Sequence, residues 1–128
     1  MAKKGMDQRL MIFQELKNIL GEYAGILVES GNNENTYHLH GTIPAKVGKT
    51  EYDGIYFASA VIRTKFVALH FFPIYTHVKL FDKIEPDLRK CLKGKSCFHI
   101  KKNDENLYNE IRNLLDLGVK VYQKEGWI

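Results

Sequence analysis

Two pairs of residues that can bind metal or act as nucleophiles occur at the spacing of neighbouring side chains on one strand face. His38 and His40 stand two residues apart, as do Cys97 and His99. Because side chains alternate across a strand, each pair projects from one face of a sheet. The histidine pair could supply two ligands to a metal ion, but catalytic zinc generally takes three from the protein. We therefore predict no metal site.

The thiol of Cys97 is the clearest candidate nucleophile. A lysine ammonium group beside a thiol lowers the thiol pKa, and Lys95 stands two residues before Cys97. A nucleophile also needs a base that takes its proton, which His70 or His99 would have to supply. Because cysteine is commonly a small buried apolar residue, we predict no catalytic residue. We expect Cys91 and Cys97 to be reduced thiols.

Two short segments resemble the end of a phosphate-binding loop. Residues 48–50 (GKT) and 94–96 (GKS) match the last three positions of a Walker A motif. That motif requires a further glycine five positions before its second glycine, where this chain has Ile43 and Arg89. We therefore predict no nucleotide cofactor, and interpret Gly94 as the residue that ends a helix.

His70 lies in the most apolar part of the chain. A lone histidine there is generally a hydrogen-bonded core residue. Alternatively it is the polar anchor of an apolar pocket. The aromatic residues that could complete such a pocket are Tyr56, Phe72 and Tyr75, although aromatic side chains at strand spacing are more often core.

The positive charge of the chain is concentrated in one segment. The chain has 19 basic and 15 acidic residues and a net charge of +4, and eight of the basic residues lie in residues 79–102. This segment is interpreted as a solvated helix face, or as a surface that attracts an anion or an acidic partner. Together with the aromatic residues Tyr37, Tyr56 and Phe98, this basic segment suggests single-stranded nucleic acid as a candidate ligand, since such proteins pair an aromatic face with a basic groove. Because the RRM, helix-turn-helix and zinc-finger patterns are absent, we predict no nucleic-acid partner.

The composition is that of an ordinary globular domain. Of 128 residues, 45% are hydrophobic and 27% are charged, which excludes disorder as the main state. We therefore predict one domain over residues 1–128. The most apolar stretch, residues 66–75, contains His70 and Pro73 and is too short to span a membrane. No apolar stretch follows the opening residues MAKKG, so we expect no signal peptide, no membrane partner and a cytoplasmic location.

Helical periodicity is clearest at the two ends of the chain. Asp7 is predicted to cap a first helix. Its apolar residues recur at helical spacing: Leu10, Ile12, Phe13, Leu16, Ile19 and Leu20. Asn103 is predicted to cap a long C-terminal helix that Gly126 ends. Its buried stripe comprises Leu107, Ile111, Leu114, Gly118 and Tyr122, in which the glycine predicts close packing.

Five strands and two short helices are predicted between these ends. The strands cover residues 26–30, 36–42, 55–62, 66–72 and 96–101, with a tight turn at residues 63–65. The short helices cover residues 76–83 and Pro86 to about Lys93. The predicted order is α-β-β-β-β-α-α-β-α. Because hairpins dominate, we predict an α+β fold with a mostly antiparallel five-stranded sheet.

The chain resembles the YdhG-like domain family, a group of small bacterial domains of unknown function. The resemblance rests on residues 70–75 (HFFPIY), residues 94–98 (GKSCF) and a closing helix with Tyr122 and Gly126-Trp127. It implies a single α+β domain with a curved antiparallel sheet backed by helices, and no established reaction or catalytic residue. Some domains of the wider group are linked to frataxin-like iron handling, which requires an acidic helix ridge. Asp7, Glu15 and Glu22 are too widely spread for that role.

These observations together predict a cytoplasmic binding module. Helices on one face of the sheet would leave the other face open and concave for a small anionic or amphipathic ligand. The predicted ligand-binding residues are His70, Tyr75, Lys95, Ser96, Cys97, Tyr56 and Phe72. Among these, Lys95 would supply charge and Ser96 a hydroxyl group.

Two alternatives belong to other functional classes. The first is a homodimeric interaction domain that pairs through a sheet face or edge and has no small-molecule site. The second is a metal- or thiol-dependent enzyme. Its residues would be His38, His40, His70 and Cys97, and it requires these side chains to converge within bonding distance.

Overall fold

A computed structural model of the chain describes the backbone of residues 4–128 and the side chains of residues 8–128. Four α-helices, one 3-10 helix and eight strands are found in this part of the chain. The helices are α1 (Lys4–Gly21), α2 (Pro73–Thr76), the 3-10 helix (Val78–Lys83), α3 (Pro86–Arg89) and α4 (Glu105–Glu125). The strands are β1 (Val28–Asn32), β2 (Thr36–His40), β3 (Ala45–Val47), β4 (Thr50–Tyr52), β5 (Tyr56–Ile62), β6 (Val67–Phe71), β7 (Leu92–Lys93) and β8 (Cys97–Ile100).

Six of these strands form one sheet. Its strand order is β1-β2-β5-β6-β8-β7, and β3 and β4 form a separate two-stranded ribbon. Every strand pair is antiparallel. The predicted α+β class with a mostly antiparallel sheet is therefore confirmed. None of the helices within residues 4–128 combines the length and apolar character needed to cross a bilayer.

The sheet has one strand more than the five predicted. The predicted helix from Pro86 ends at Arg89, and Leu92–Lys93 pairs with β8 instead. Gly94 adopts φ +75° in the turn that joins these two strands. It is therefore a hairpin glycine, and its predicted role at a helix end is wrong. A left-handed glycine permits either structure, and the partner strand decides between them.

Helices α1 and α4 lie side by side on one face of the sheet. The Tyr23 hydroxyl donates a hydrogen bond to the Asp116 carboxylate, and Arg112 lies 3.5 Å from the Glu15 carboxylate. Between these helices and the sheet, Phe57 packs edge-on against Phe71 with ring centroids 5.7 Å apart. We call this side of the sheet the covered face.

Gly118 is the point of closest approach between α4 and the covered face. A Cβ atom at this position would lie 2.5 Å from Cζ of Phe71 and 3.1 Å from Cε1 of Phe57. No side chain fits at that distance, so the two phenylalanine rings occupy the space. The close packing predicted from the sequence is confirmed, as is the burial of Leu107, Ile111, Leu114 and Tyr122.

The predicted helix caps are each displaced along the chain. The Oδ1 atom of Asp104 accepts the Asn106 N–H at 3.0 Å, so Asp104 caps α4, while Asn103 accepts the Tyr108 hydroxyl. Helix α1 is already formed at Lys4, so it does not begin at Asp7. Leu10 is 58% exposed and lies outside the buried stripe of α1. The other five residues predicted for that stripe are buried: Ile12, Phe13, Leu16, Ile19 and Leu20.

Candidate functional site

A row of polar side chains crosses the face of the sheet opposite α1 and α4. Ser59 on β5 pairs with His38 on β2 and with His70 on β6, and His70 pairs with Cys97 on β8. Directly paired residues share a face, and the residues next to them in the chain, such as Leu69 and Phe98, are buried on the covered face. We call the side bearing this row the open face.

The open face does not assemble a metal site from its histidines. Strand β5 separates His38 from His70, which places their backbones about 9–10 Å apart across the sheet. Among the described side chains, no group of three or more His, Cys, Asp or Glu residues converges at metal-binding distance. The metal-enzyme alternative required convergence of His38, His40, His70 and Cys97, and the structure does not bring these four together.

The thiol of Cys97 lacks the features of an activated nucleophile. Burial raises its pKa, and Arg63 acts in the opposite direction without reversing the shift. The predicted lowering of this pKa by Lys95 is therefore wrong. Burial also lowers the pKa of His70, with further contributions from Arg63, His38 and His99. At neutral pH the row contains a neutral thiol beside a neutral imidazole.

Three aromatic rings lead from this row to the end of the sheet. Tyr56 covers Ser59, and their hydroxyl groups share a hydrogen bond. Burial raises the pKa of Tyr56 to about 12. The Tyr56 and Phe72 rings are 5.8 Å apart, and Phe72 stacks on Tyr75 with centroids 5.3 Å apart. The open face is thus continuous with the segment that follows β6.

An apolar groove of about 490 Å³ lies where this chain of rings ends. Its lining residues are Ile74, Tyr75, Val78, Phe81, Asp82, Gly94 and Lys95. Val78 is 72% exposed, and Tyr75 and Phe81 are also exposed. Arg89 fixes one wall, because its guanidinium group lies 4.6 Å from the Phe81 ring centroid and donates to the Phe81 carbonyl. We call this feature the apolar groove.

The seven residues predicted to bind ligand divide between two neighbouring places. Tyr75 and Lys95 line the apolar groove. The open face carries the other aromatic, histidine and thiol side chains: Tyr56, His70, Phe72 and Cys97. Ser96 lies in the turn before β8, where its carbonyl oxygen accepts the Phe71 N–H at 2.8 Å.

Sequence reasoning missed Val78 and Phe81. The signal that could have found them is a spacing of three, since Tyr75, Val78 and Phe81 recur every third residue. Val78 and Phe81 lie on the 3-10 helix, where side chains three apart are eclipsed, and Tyr75 precedes them on α2.

The aromatic residues considered for nucleic-acid binding do not form a stacking surface. Tyr37 and Phe98 are buried on the covered face, where they contribute to the core. Tyr56 is the one member of that set on the open face. Exposed rings that could stack with several successive bases are therefore not supplied by these three residues.

The fold and these surfaces define an α+β protein with one open sheet face and an adjoining apolar groove. Comparison of the chain with protein-family models, with curated protein sequences and with solved structures finds no match. The resemblance to YdhG-like domains stays a prediction.

Proposed function

We propose that the protein is a binding module for a small amphipathic molecule with one acid group. The apolar part of this ligand lies in the apolar groove, and its acid group reaches Lys95. One observation carries the proposal: three exposed apolar side chains, Tyr75, Val78 and Phe81, line a single groove beside a lysine. Concave, mostly apolar sites with a few polar groups are typical of small-molecule binding.

The charges at the groove favour one orientation of the bound ligand. Lys95 and Asp82 both line it, so an acid group is attracted at one position and repelled at another. A molecule with a single acid group satisfies this arrangement, whereas a molecule with acid groups at both ends does not. Full burial of an aliphatic side chain contributes roughly 1.5–3 kcal/mol, so the apolar part supplies most of the affinity.

The proposal is tested by titrating the protein with decanoate and with the uncharged decanol. We expect Val78→Asp to weaken the binding of both by about tenfold or more, since it places a charge in the apolar wall. Lys95→Glu should weaken only decanoate, and Asp82→Asn should tighten it by roughly two- to fivefold. Lys65→Glu is the matched control, because the turn before β6 lies at the opposite end of that strand from the groove.

Two results would overturn the proposal. The first is the absence of saturable binding by decanoate or any related monoacid in native mass spectra and calorimetry. The second is a dimer that Val78→Asp dissociates, because a second copy of the chain would then cover the groove. That result would establish the homodimeric interaction domain instead.

A further inference from the structure

A second recess, of about 360 Å³, lies at the β8 edge of the sheet. Strand β7 pairs with β8 through Leu92 and Lys93, and the Cys91 carbonyl before β7 accepts the His99 N–H at 2.8 Å, so the recess begins where this pairing ends. The recess is lined by nine residues: Asp87, Lys90, Cys91, Lys93, His99, Lys101, Lys102, Asp104 and Leu107. None of them lines the apolar groove. We call this feature the basic recess.

Four lysines converge on the basic recess without carboxylate partners. Among the described side chains, Arg112 forms the ion pairs with carboxylates, and none of the lysines of the recess takes part in one: Lys90, Lys93, Lys101 and Lys102. Four ammonium groups outnumber the two carboxylates that share this lining, so the repulsion among the lysines is only partly offset and a bound anion would relieve it.

The two carboxylates of the recess have other partners. The Oδ2 atom of Asp87 accepts a hydrogen bond from Nδ2 of Asn106 at 2.8 Å. Asp104 accepts the backbone N–H of Asn106 as the cap of α4. The Asp87 bond holds α3 against the beginning of α4, and the two bonds together orient both carboxylates toward Asn106. With four ammonium groups against two carboxylates, the lining stays positive.

His99 supplies a fixed polar group within this positive lining. Its ring stacks on Phe66 with centroids 3.8 Å apart and an angle of 13° between the ring planes. The pKa of His99 is lowered, first by burial and then by Lys93 and Lys101. The imidazole is therefore neutral at pH 7, and one of its nitrogens can donate a hydrogen bond to an anion.

We infer that the basic recess binds a phosphate monoester of a small organic molecule. A phosphate dianion has three terminal oxygens that can each accept from an ammonium group, and lysine binds phosphate as a compact point charge. The volume corresponds to about a dozen waters at roughly 30 Å³ each, which exceeds a bare phosphate ion and leaves space for an organic part. This site is independent of the apolar groove and of its ligand.

The inference is tested by calorimetric titration with glucose 6-phosphate at low ionic strength. We expect saturable one-to-one binding that Lys93→Gln combined with Lys101→Gln weakens by about tenfold or more. Lys120→Gln is the matched control. This exposed lysine lies near the far end of α4, roughly 20 Å along the helix from Leu107, and should leave the affinity unchanged. Circular dichroism establishes that each variant is folded.

A second readout distinguishes binding in the recess from binding elsewhere. An anion beside His99 favours the protonated imidazole, so saturation with the ester should raise the His99 pKa in an NMR titration. The charged groups that share the recess with this imidazole come from every element around it: Asp87 and Lys90 at α3, Lys93 on β7, Lys101 and Lys102 directly after β8, and Asp104 at the cap of α4. The double lysine variant should show a smaller rise.

Any one of four results would overturn the inference. The ester could fail to bind at any concentration, or bind equally well to the double lysine variant. Succinate could bind as tightly as the ester, which would remove the preference for phosphate. Single-stranded DNA could bind through the same lysines while the ester does not, which would make the surface a nucleic-acid contact.

Discussion

The two faces of the six-stranded sheet are made from alternate residues of the same strands, yet they have different roles. The covered face presents Phe57, Phe71 and Phe98, all of them fully buried, and a shift in the pairing of β2 with β5 brings Phe57 to this face. The open face presents His70 and Cys97, both half-buried with shifted pKa values. Because strand side chains alternate, stability can be concentrated on one face while the other carries groups free to bind.

The largest expected effect comes from truncating a covered-face ring. Phe57→Ala should lower the free energy of unfolding by about 3–5 kcal/mol, because it leaves a cavity among Phe71, Tyr122 and Tyr23. Phe66→Ala is the matched change on the open face. Because Phe66 is only partly buried, this substitution should lower the free energy of unfolding by less than about 2 kcal/mol. Urea unfolding measures both. Equal losses would contradict the division of roles between the faces.

The next effect tests the contact of α4 with the covered face. In an exposed helix interior, glycine to alanine stabilises by about 1 kcal/mol. Gly118→Ala should instead destabilise by about 1–3 kcal/mol, since the new Cβ atom meets the Phe71 ring. Adding Phe71→Leu should recover part of this loss relative to Phe71→Leu alone. A stabilising Gly118→Ala would show that the helix stands further from the sheet.

Removing the buried carboxylate of Glu110 on α4 should lower the free energy of unfolding by a similar or smaller amount. Oε1 of Glu110 accepts the Leu88 N–H at 2.9 Å, and its Oε2 accepts from Nδ2 of Asn106. Glu110→Ala leaves that buried N–H without an acceptor, at a cost of about 1–3 kcal/mol. Asn109→Ala, at an exposed site on α4, is the control. Thermal unfolding that ranks the two variants equally would exclude this role for Glu110.

His70 on the open face should make the free energy of unfolding depend on pH. The folded pKa of His70 lies below its unfolded value of about 6.5, so on acidification the unfolded chain takes up the proton first. Stability from this group is complete above about pH 6.5 and is lost as pH falls toward the folded pKa. His70→Gln should therefore flatten the dependence between pH 7.5 and pH 5.5 in urea unfolding. A parallel pH dependence in the variant and the parent protein would contradict the assignment.

The smallest expected effect concerns the two thiols. Burial raises the pKa of both Cys97 and Cys91. Alkylation by iodoacetamide should therefore be slow at pH 7 and should accelerate only above about pH 9, because the thiolate is the reacting form. The single variants Cys97→Ser and Cys91→Ser assign the rates. Rapid reaction of Cys97 at pH 7 would restore the thiol-enzyme alternative.

The correct and incorrect sequence predictions differ in how far apart the deciding residues lie. The strands, their alternation and the buried stripe of α4 follow from periods of two and 3.6 residues, which a short window reveals. The displaced cap at Asp104 and the early start of α1 are local boundary errors of a few residues. The strand Leu92–Lys93 was missed because pairing with β8 overrides the helical propensity of its surroundings.

Local pattern in the chain was sufficient to predict that His38 shares a strand face with His40, and Cys97 with His99, because alternation follows directly from backbone geometry. It was also sufficient to predict Gly118 as a packing position. The groove and the recess could not be found in this way. Val78 meets Lys95 across the apolar groove, and Lys90 meets Lys102 across the basic recess, only after the chain has turned back on itself. Such meetings depend on long-range packing, which local periodicity does not encode.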